Sequence, residues 1–191
     1  MSRRAVFLDR DGTVNVEKDF VRHPDEVELL PGAREAIRSL RGAGYRIVVV
    51  TNQSGVARGY LDEPMLARIH ARLDDLLDRQ VDAWFHCPHH PDTGQELRYV
   101  RGCTCRKPAD GLVRDAAAHL DLDLTRSWMI GDSARDVLVG RDLPLRTILV
   151  RSGKPIAAQR AALETAGFRP DLEVADLAAA AAAILATSPS A

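Results

Sequence analysis

The chain has 191 residues, which is enough for one domain with a well-buried core. Its formal net charge is -1, so it lacks the basic excess typical of proteins that bind nucleic acid or anionic membranes, and we expect neither as a partner. No apolar run is long enough to span a bilayer, and the N-terminus leads straight into a short strand rather than a signal peptide. These features predict a cytoplasmic protein.

Strand-like and helix-like segments alternate along the chain. Short apolar runs predict strands over residues 5–8, 46–50, 83–85, 128–130 and 147–150. Apolar residues at helical spacing predict helices over about 31–42, 62–80 and 110–120, with further helices after the last strand. This alternation is typical of βαβ crossovers and predicts an α/β fold, a Rossmann-like parallel sheet with helices on both faces.

The organisation predicted from composition is simple. No composition shift marks an internal boundary, so we expect one domain over residues 1–187 and a tail at 188–191. No helix pattern looks like a dimer seam, which favours a monomer. The alanine run 178–183 is predicted to lie on a helix surface. Three histidines without a partner pattern are also expected at the surface or on helix faces: His23, His70 and His119.

The most informative motif is Phe7-Leu8-Asp9-Arg10-Asp11-Gly12-Thr13, at the end of the first predicted strand. Period-2 geometry sends Asp9 and Asp11 to the same side of the chain, and Gly12 allows a tight turn. Paired carboxylates at the carboxyl end of a parallel strand, where open α/β sheets bind ligands, indicate metal-assisted chemistry. The alternative is a strand followed by an acidic turn.

Two further clusters suit phosphate. Thr51-Asn52-Gln53-Ser54-Gly55 ends the second strand and can donate several hydrogen bonds to phosphate oxygens, although a helix N-cap or polar turn has the same composition. Arg106 and Lys107 precede a helix and offer a forked and a compact positive charge, with a surface basic pair as the alternative.

A fourth cluster, Gly131-Asp132-Ser133-Ala134-Arg135-Asp136, follows the strand at 128–130. Asp132 lies at a strand end, in the same position relative to its strand as Asp9. Asp136 falls one helical turn further on, so it either supports the site or lies on the surface.

All three cysteines lie in an irregular loop over residues 87–105. Three thiolates and one imidazole, enough for a closed tetrahedral zinc site, are supplied by Cys87, His89, Cys103 and Cys105. His86 and His90 compete with His89 as ligands, and three unpaired surface thiols are the alternative. Because four protein ligands leave no open position, the zinc would be structural and would hold a loop that lacks its own core.

Taken in order, the four polar clusters resemble the haloacid dehalogenase superfamily of aspartate-nucleophile phosphohydrolases. The motifs of that superfamily are matched here by Asp9 and Asp11, Thr51, Lys107, and Asp132. The zinc loop running into Cys-x-Cys-Arg-Lys-Pro further resembles two groups, the D-glycero-D-manno-heptose bisphosphate 7-phosphatases and the histidinol-phosphate phosphatases. The runs 51–59 and 87–91 look like the heptose group. Histidinol phosphate stays open as a substrate, as does a non-catalytic zinc-loop binding module.

The resemblance implies a role for each motif. Asp9 would attack the 7-phosphate of a heptose 1,7-bisphosphate, forming an aspartyl-phosphate, and Asp11 would act as general acid and then base. Mg²⁺ would be held by Asp9, the Asp11 carbonyl and Asp132, and Thr51 and Lys107 would stabilise the phosphoryl group. Contacts to this small sugar bisphosphate would come from Glu17, Lys18, Asp19, Phe20, Thr51, Asn52, Gln53, Ser54, Arg106, Lys107 and Ser133.

Two departures from the relatives affect specificity. Some family members carry Lys where this chain has Ser133, so one substrate contact differs here. Residues 13–31 and 51–107 leave no room for the large cap domain of many relatives, so specificity is expected from short loops, including the zinc loop. Arg106 would bind the remote phosphate. The motifs do not choose between the α and β anomers.

Overall fold

A computed structural model of the chain describes residues 3–187, so the predicted tail at 188–191 lies outside the described residues. Six parallel strands form one sheet in the order β3-β2-β1-β4-β5-β6. The strands are β1 (Ala5–Leu8), β2 (Arg46–Asn52), β3 (Ala83–Cys87), β4 (Trp128–Gly131), β5 (Arg146–Val150) and β6 (Leu172–Val174). The helices are α1 (Ala33–Gly42), α2 (Glu63–Leu76), α3 (Gly111–Leu120), α4 (Ala134–Leu138), α5 (Ile156–Thr165) and α6 (Leu177–Thr187).

The buried strand β1 shows why the sheet needs helices on both faces. Its side chains alternate, with Val6 and Leu8 packed among residues of α1 and α6, and Ala5 and Phe7 packed among residues of α3. All four side chains are fully buried. The predicted α/β fold with a Rossmann-like parallel sheet is therefore confirmed, while the single-domain boundary at 187 stays a prediction.

Two local predictions were wrong and one strand was missed. The helix predicted to reach residue 80 ends at Leu76, because Asp78 and Arg79 adopt left-handed backbone conformations with φ of 55° and 54°. Strand β6 was missed, since three residues are too few to show a period. The alanine run is not simply helix surface, because Ala180 and Ala181 are buried, where their small side chains let α6 pack against α1.

The order of the strands places the predicted motifs at one edge. β1 pairs with β2 on one side and with β4 on the other. The strand order therefore extends from β1 in two opposite directions, through β2 and β3 on one side and through β4, β5 and β6 on the other. Ligands of open α/β sheets bind at such a switch point, beyond the carboxyl ends of the strands. Asp9, Thr51 and Asp132 lie at these ends. None of the helices within residues 3–187 is long and apolar enough to cross a membrane.

Candidate active site

The carboxyl edge of the sheet carries a pocket of about 300 Å³. Ten of the eleven predicted substrate contacts line it, together with Asp9 and Asp11, and Lys18 does not. Lys18 instead donates to the Glu26 carbonyl and pairs with Glu28. Four lining residues were not predicted as part of the pocket, namely Arg58, His90, Arg135 and Lys154, and for a fifth, Asp136, the sequence left both the site and the surface open.

Lys107 lies at the centre of a buried charge cluster. Its Nζ is 2.8 Å from Asp9 Oδ1 and 2.6 Å from Asp136 Oδ1, and it donates to the Val50 carbonyl. Burial acts to lower the pKa of Lys107, but the Asp136 and Asp9 carboxylates outweigh it and the pKa is raised. The amine is therefore a fixed cation beside Asp9. Asp136, left open by the sequence, is buried and supports the site.

Backbone hydrogen bonds fix the position of Lys107. The side-chain amide of Asn52 donates to the Lys107 carbonyl and accepts from the Lys107 amide, both at 3.0 Å. Asn52, predicted as a substrate contact, thus joins the end of β2 to the loop that carries the lysine. Gln53 has a similar role, since its amide donates to Asp11 Oδ2 and to Thr51 Oγ1, each at 2.9 Å.

The carboxylates of Asp9, Asp132 and Asp136 could hold a metal ion, since one oxygen from each lies within 4.8 Å of the others. Asp132 Oδ1 is buried and has no hydrogen-bond partner. Burial first, and then Asp9 and Asp136, raise the pKa of Asp132 to about 7. An unpartnered buried carboxylate oxygen among other carboxylates fits a hard divalent cation with oxygen ligands such as Mg²⁺.

Two glycines close the backbone around Asp132. A Cβ built on Gly12 would lie 2.3 Å from Asp132 Oδ2, and one built on Gly153 would lie 2.1 Å from the same atom. Gly12 also has a φ of 77°, which favours glycine. Both positions therefore exclude a side chain.

The four predicted zinc ligands converge. Sγ of Cys105 lies 3.2 Å from Cys87 Sγ and 3.3 Å from Cys103 Sγ, and His89 Nδ1 lies 3.3 Å from Cys105 Sγ. These separations are too long for a disulfide and near the roughly 3.8 Å edge of a tetrahedron with zinc–sulfur bonds of about 2.3 Å. Three thiols and one imidazole in this arrangement fit zinc.

The two competing histidines are engaged elsewhere. His86 Nε2 lies 2.7 Å from Glu63 Oε2. His90 Nδ1 accepts from the backbone amides of Asp92 and Thr93. The geometry therefore favours His89 as the imidazole of the cluster. The His89 carbonyl also accepts a hydrogen bond from Arg106 at 3.0 Å, which links the cluster to the pocket.

Three arginines line the pocket without a carboxylate partner among residues 3–187: Arg58, Arg106 and Arg135. Burial first, and then the charges of Arg135 and Arg58, lower the pKa of Arg106. Nε of Arg58 is buried with no hydrogen-bond partner. Among residues 3–187, none of these three like charges has a carboxylate at ion-pair distance, although carboxylates line other parts of the pocket, so this part can bind an anion.

Lys154 joins two loops of the pocket. Its Nζ lies 2.7 Å from Glu17 Oε2 and 3.6 Å from Asp132 Oδ2. It follows the carboxyl end of β5, so it could have been predicted by the same argument as Asp9 and Asp132, which follow the carboxyl ends of β1 and β4. Arg58 and Arg135 are harder to identify from the sequence, because each lies in a polar motif whose other residues suggest the function.

Comparisons with known proteins agree with this site. Residues 104–180 match the family model described as HAD-hydrolase-like. The D-glycero-beta-D-manno-heptose-1,7-bisphosphate 7-phosphatase of Photorhabdus laumondii is 44% identical over 156 residues, covering 80% of this chain and 82% of that protein. The enzyme of the same name from Pseudomonas aeruginosa is 39% identical over 189 residues, covering 97% and 99%.

A solved structure shares the whole fold. The D,D-heptose 1,7-bisphosphate phosphatase from B. bronchiseptica, complexed with magnesium and phosphate, superposes with a TM-score of 0.81. It is 38% identical and the match covers 97% of this chain and 99% of that one. The chain therefore belongs to the D-glycero-beta-D-manno-heptose-1,7-bisphosphate 7-phosphatase family of HAD-like phosphatases.

Proposed function

We propose that the protein hydrolyses the 7-phosphate of D-glycero-D-manno-heptose 1,7-bisphosphate, giving heptose 1-phosphate and inorganic phosphate. The observation that carries this proposal is one pocket with two kinds of anion-binding group. Asp9 and its buried partner Lys107 suit the phosphate that is hydrolysed. The three arginines without an ion-pair partner suit a second phosphate that is bound but does not react. The names of relatives at 38–44% identity support the same substrate.

The chemistry that we propose takes the role of each residue from the family resemblance, and the positions of the side chains support it. A carboxylate oxygen of Asp9 attacks phosphorus, and the bond to O7 of the sugar breaks as Asp11 gives its proton to the leaving oxygen. Water then attacks the aspartyl-phosphate, Asp11 takes the proton from that water, and Asp9 is released. Mg²⁺, held by Asp9, the Asp11 carbonyl and Asp132, would offset the charge between phosphate and nucleophile. Lys107 holds the nucleophile and faces the transferring group.

The remote 1-phosphate is assigned to the three unpaired arginines, Arg58, Arg106 and Arg135. Ser133 is uncharged, where some family members have a lysine, but Arg135 brings a cation into the same pocket two residues later. Arginine forks bind phosphate oxygens in pairs, so this group orients the sugar through binding energy away from the reacting bond.

Arg135→Ala is expected to lower kcat/KM for the 1,7-bisphosphate by about 10- to 100-fold, since a hydrogen-bonded charge contributes about 1.5–3 kcal/mol. Heptose 7-phosphate lacks the remote phosphate, so kcat/KM for that substrate should change less than about threefold. Steady-state kinetics on both substrates measure the difference. Arg114→Ala, which removes an arginine paired with Asp110 outside the pocket, is the matched control. Equal losses on both substrates would contradict the assignment.

We also propose that the Cys87, His89, Cys103 and Cys105 cluster binds structural zinc. Its donor set and spacing support this, and the bond from Arg106 to the His89 carbonyl indicates why the enzyme would need it. Thiolates that bind metal rather than pair as disulfides suit a reducing compartment, which supports the cytoplasmic location expected from the sequence. Few large apolar side chains are exposed within residues 3–187, which supports a monomer.

Cys103→Ser should remove most of the zinc and lower the free energy of unfolding by several kcal/mol, because a structural zinc site contributes folding energy directly. Metal analysis of the purified protein and thermal unfolding measure the two effects. Thr104→Ser, next to the ligand but outside the cluster, should keep both zinc and stability. If wild-type protein purified without chelator contains no zinc, the assignment of the cluster as a zinc site is wrong.

The substrate is tested by phosphate release with Mg²⁺ from α- and β-heptose 1,7-bisphosphate and from histidinol phosphate at equal concentrations. We expect one heptose anomer to exceed histidinol phosphate by about 100-fold or more in kcat/KM, or about 2.7 kcal/mol. A preference for histidinol phosphate would keep the mechanism and overturn the substrate. No release from any of the three would favour a binding module.

A further inference from the structure

Carboxylates and cations are paired unequally in the active-site pocket. Among residues 3–187, every carboxylate that lines the pocket except Asp19 lies at ion-pair distance from a cation. The pairs are Asp9 and Asp136 with Lys107, Asp11 with Arg10, and Glu17 with Lys154. Asp19 is exposed, so water screens its charge. The described part of the pocket therefore offers a substrate three arginines without ion-pair partners, but no shielded carboxylate without one.

The ion pair between Glu17 and Lys154 joins two loops of this pocket. Nζ of Lys154 lies 2.7 Å from Glu17 Oε2 and 3.6 Å from Asp132 Oδ2, so Glu17 is its nearer partner. Only 31% of the Lys154 side chain and 24% of the Glu17 side chain are exposed. Water screens the two charges only in part at this exposure, so the lysine offsets the negative charge that Glu17 presents to a substrate.

Lys154 differs from the other two cations that pair with pocket carboxylates. Among residues 3–187 it is the one that is not at ion-pair distance from Asp9 or Asp11. Its loop is also anchored through the backbone, since the Lys154 amide donates to Asp132 Oδ2 at 2.8 Å. A substitution of the Lys154 side chain therefore frees Glu17 and leaves this backbone bond in place.

We propose that Lys154 is a specificity-determining residue that keeps Glu17 from attracting cationic phosphate esters, so that the pocket selects a neutral, hydroxyl-rich organic group. A site gains specificity when it offers the wrong substrate no partner for its charge. With Oε2 of Glu17 bound to the ammonium, Oε1 is left to accept a hydrogen bond from a sugar hydroxyl. The inference rests on the proposed function in one respect, that the sugar lies beside Glu17 while the reacting phosphate lies at Asp9.

The test is the ratio of kcat/KM for heptose 7-phosphate to kcat/KM for histidinol phosphate at pH 7. Each ester has one phosphate, but histidinol phosphate also carries a protonated primary amine. Lys154→Met should lower this ratio by about tenfold, because the freed Glu17 carboxylate binds the ammonium in a charge-assisted hydrogen bond. Lys154→Arg should keep the ratio within about threefold of the wild type, because arginine can still pair with Glu17.

Two further variants show whether the effect acts through Glu17. Adding Glu17→Gln to Lys154→Met should return the ratio to within about threefold of the wild type, since no freed carboxylate remains. Arg151→Met removes a cation from the same loop, one that pairs with Glu173 outside the pocket, and should leave the ratio unchanged. An unchanged ratio in Lys154→Met, an equal change in Arg151→Met, or a ratio that Glu17→Gln does not restore would overturn the proposal.

The remaining outcomes are separated by the substrates of the wild type. If histidinol phosphate is not hydrolysed, its inhibition constant replaces its kcat/KM, and Lys154→Met should lower that constant by the same factor. If the wild type hydrolyses no heptose ester, the proposed function fails, and the ratio is taken with the neutral phosphate ester that it does hydrolyse. If it hydrolyses cationic esters alone, both proposals fail. Thermal unfolding checks each variant, and Lys154→Gln replaces Lys154→Met if the latter does not fold.

Discussion

Asp9→Asn is expected to lower kcat by at least about 10⁴-fold, because the amide cannot attack phosphorus and form the covalent intermediate. That loss corresponds to about 5 kcal/mol of transition-state stabilisation. The fold should survive, since asparagine has nearly the same shape and Asp136 still pairs with Lys107. Phosphate release and thermal unfolding measure the two effects. Mass spectrometry of acid-quenched enzyme should detect the aspartyl-phosphate in the wild type alone.

The control for the Asp9 variant is Asp110→Asn, which removes a carboxylate that pairs with Arg114 outside the pocket. It should leave kcat within about twofold of the wild type. Turnover of Asp9→Asn within tenfold of the wild type would exclude Asp9 as the nucleophile. The mechanism would then have to place the attack on another group.

Lys107→Met should abolish turnover and also lower the free energy of unfolding by about 3–5 kcal/mol, the usual cost of removing one partner from a buried ion pair. Methionine fills a similar volume, but it leaves the Asp9 and Asp136 carboxylates without their shared cation. Chemical denaturation measures the stability, and phosphate release measures the activity.

A double variant separates these two effects. Lys107→Met with Asp136→Asn removes the cation and one of its two anionic partners, so it should recover part of the lost stability. It should recover no activity, because the transferring phosphoryl group still lacks its cation. A Lys107→Met variant with near wild-type turnover would show that the buried lysine serves the fold alone. If Lys107→Met is as stable as the wild type, the expected cost of leaving Asp9 and Asp136 without their cation is contradicted.

The predictable part of the site follows from one rule of geometry. Parallel strands bring their carboxyl ends to a common edge, so Asp9, Thr51 and Asp132 could be placed together from the strand pattern alone. Lys107 follows no strand, and only its family resemblance placed it here. The structure brings its amine to Asp9 through the backbone bonds from Asn52.

The unpredicted part depends on loop paths and on side-chain type. Arg58 lies in an irregular turn and Arg135 in the five-residue helix α4, which is too short to show a period, so the sequence could not place either of them in the same pocket as Arg106. His70 is a different case. It lies four residues after the buried Leu66, so the period of α2 placed it on the buried face. The expectation for His70 was the surface or a helix face; it lies on a helix face, on the side of α2 that is buried.

The approach of Gly12 to Gly153 has a consequence for how this sequence can evolve. A Cβ built on Gly153 would lie 2.7 Å from the Gly12 Cα, and one built on Gly12 would lie 2.9 Å from the Gly153 Cα. Neither glycine can mutate alone without displacing a loop backbone, and a change at both would add two side chains to the same space. The pair should therefore resist drift as strongly as the carboxylates do. In distant relatives, a second glycine after the fifth strand would be a useful marker of this active site.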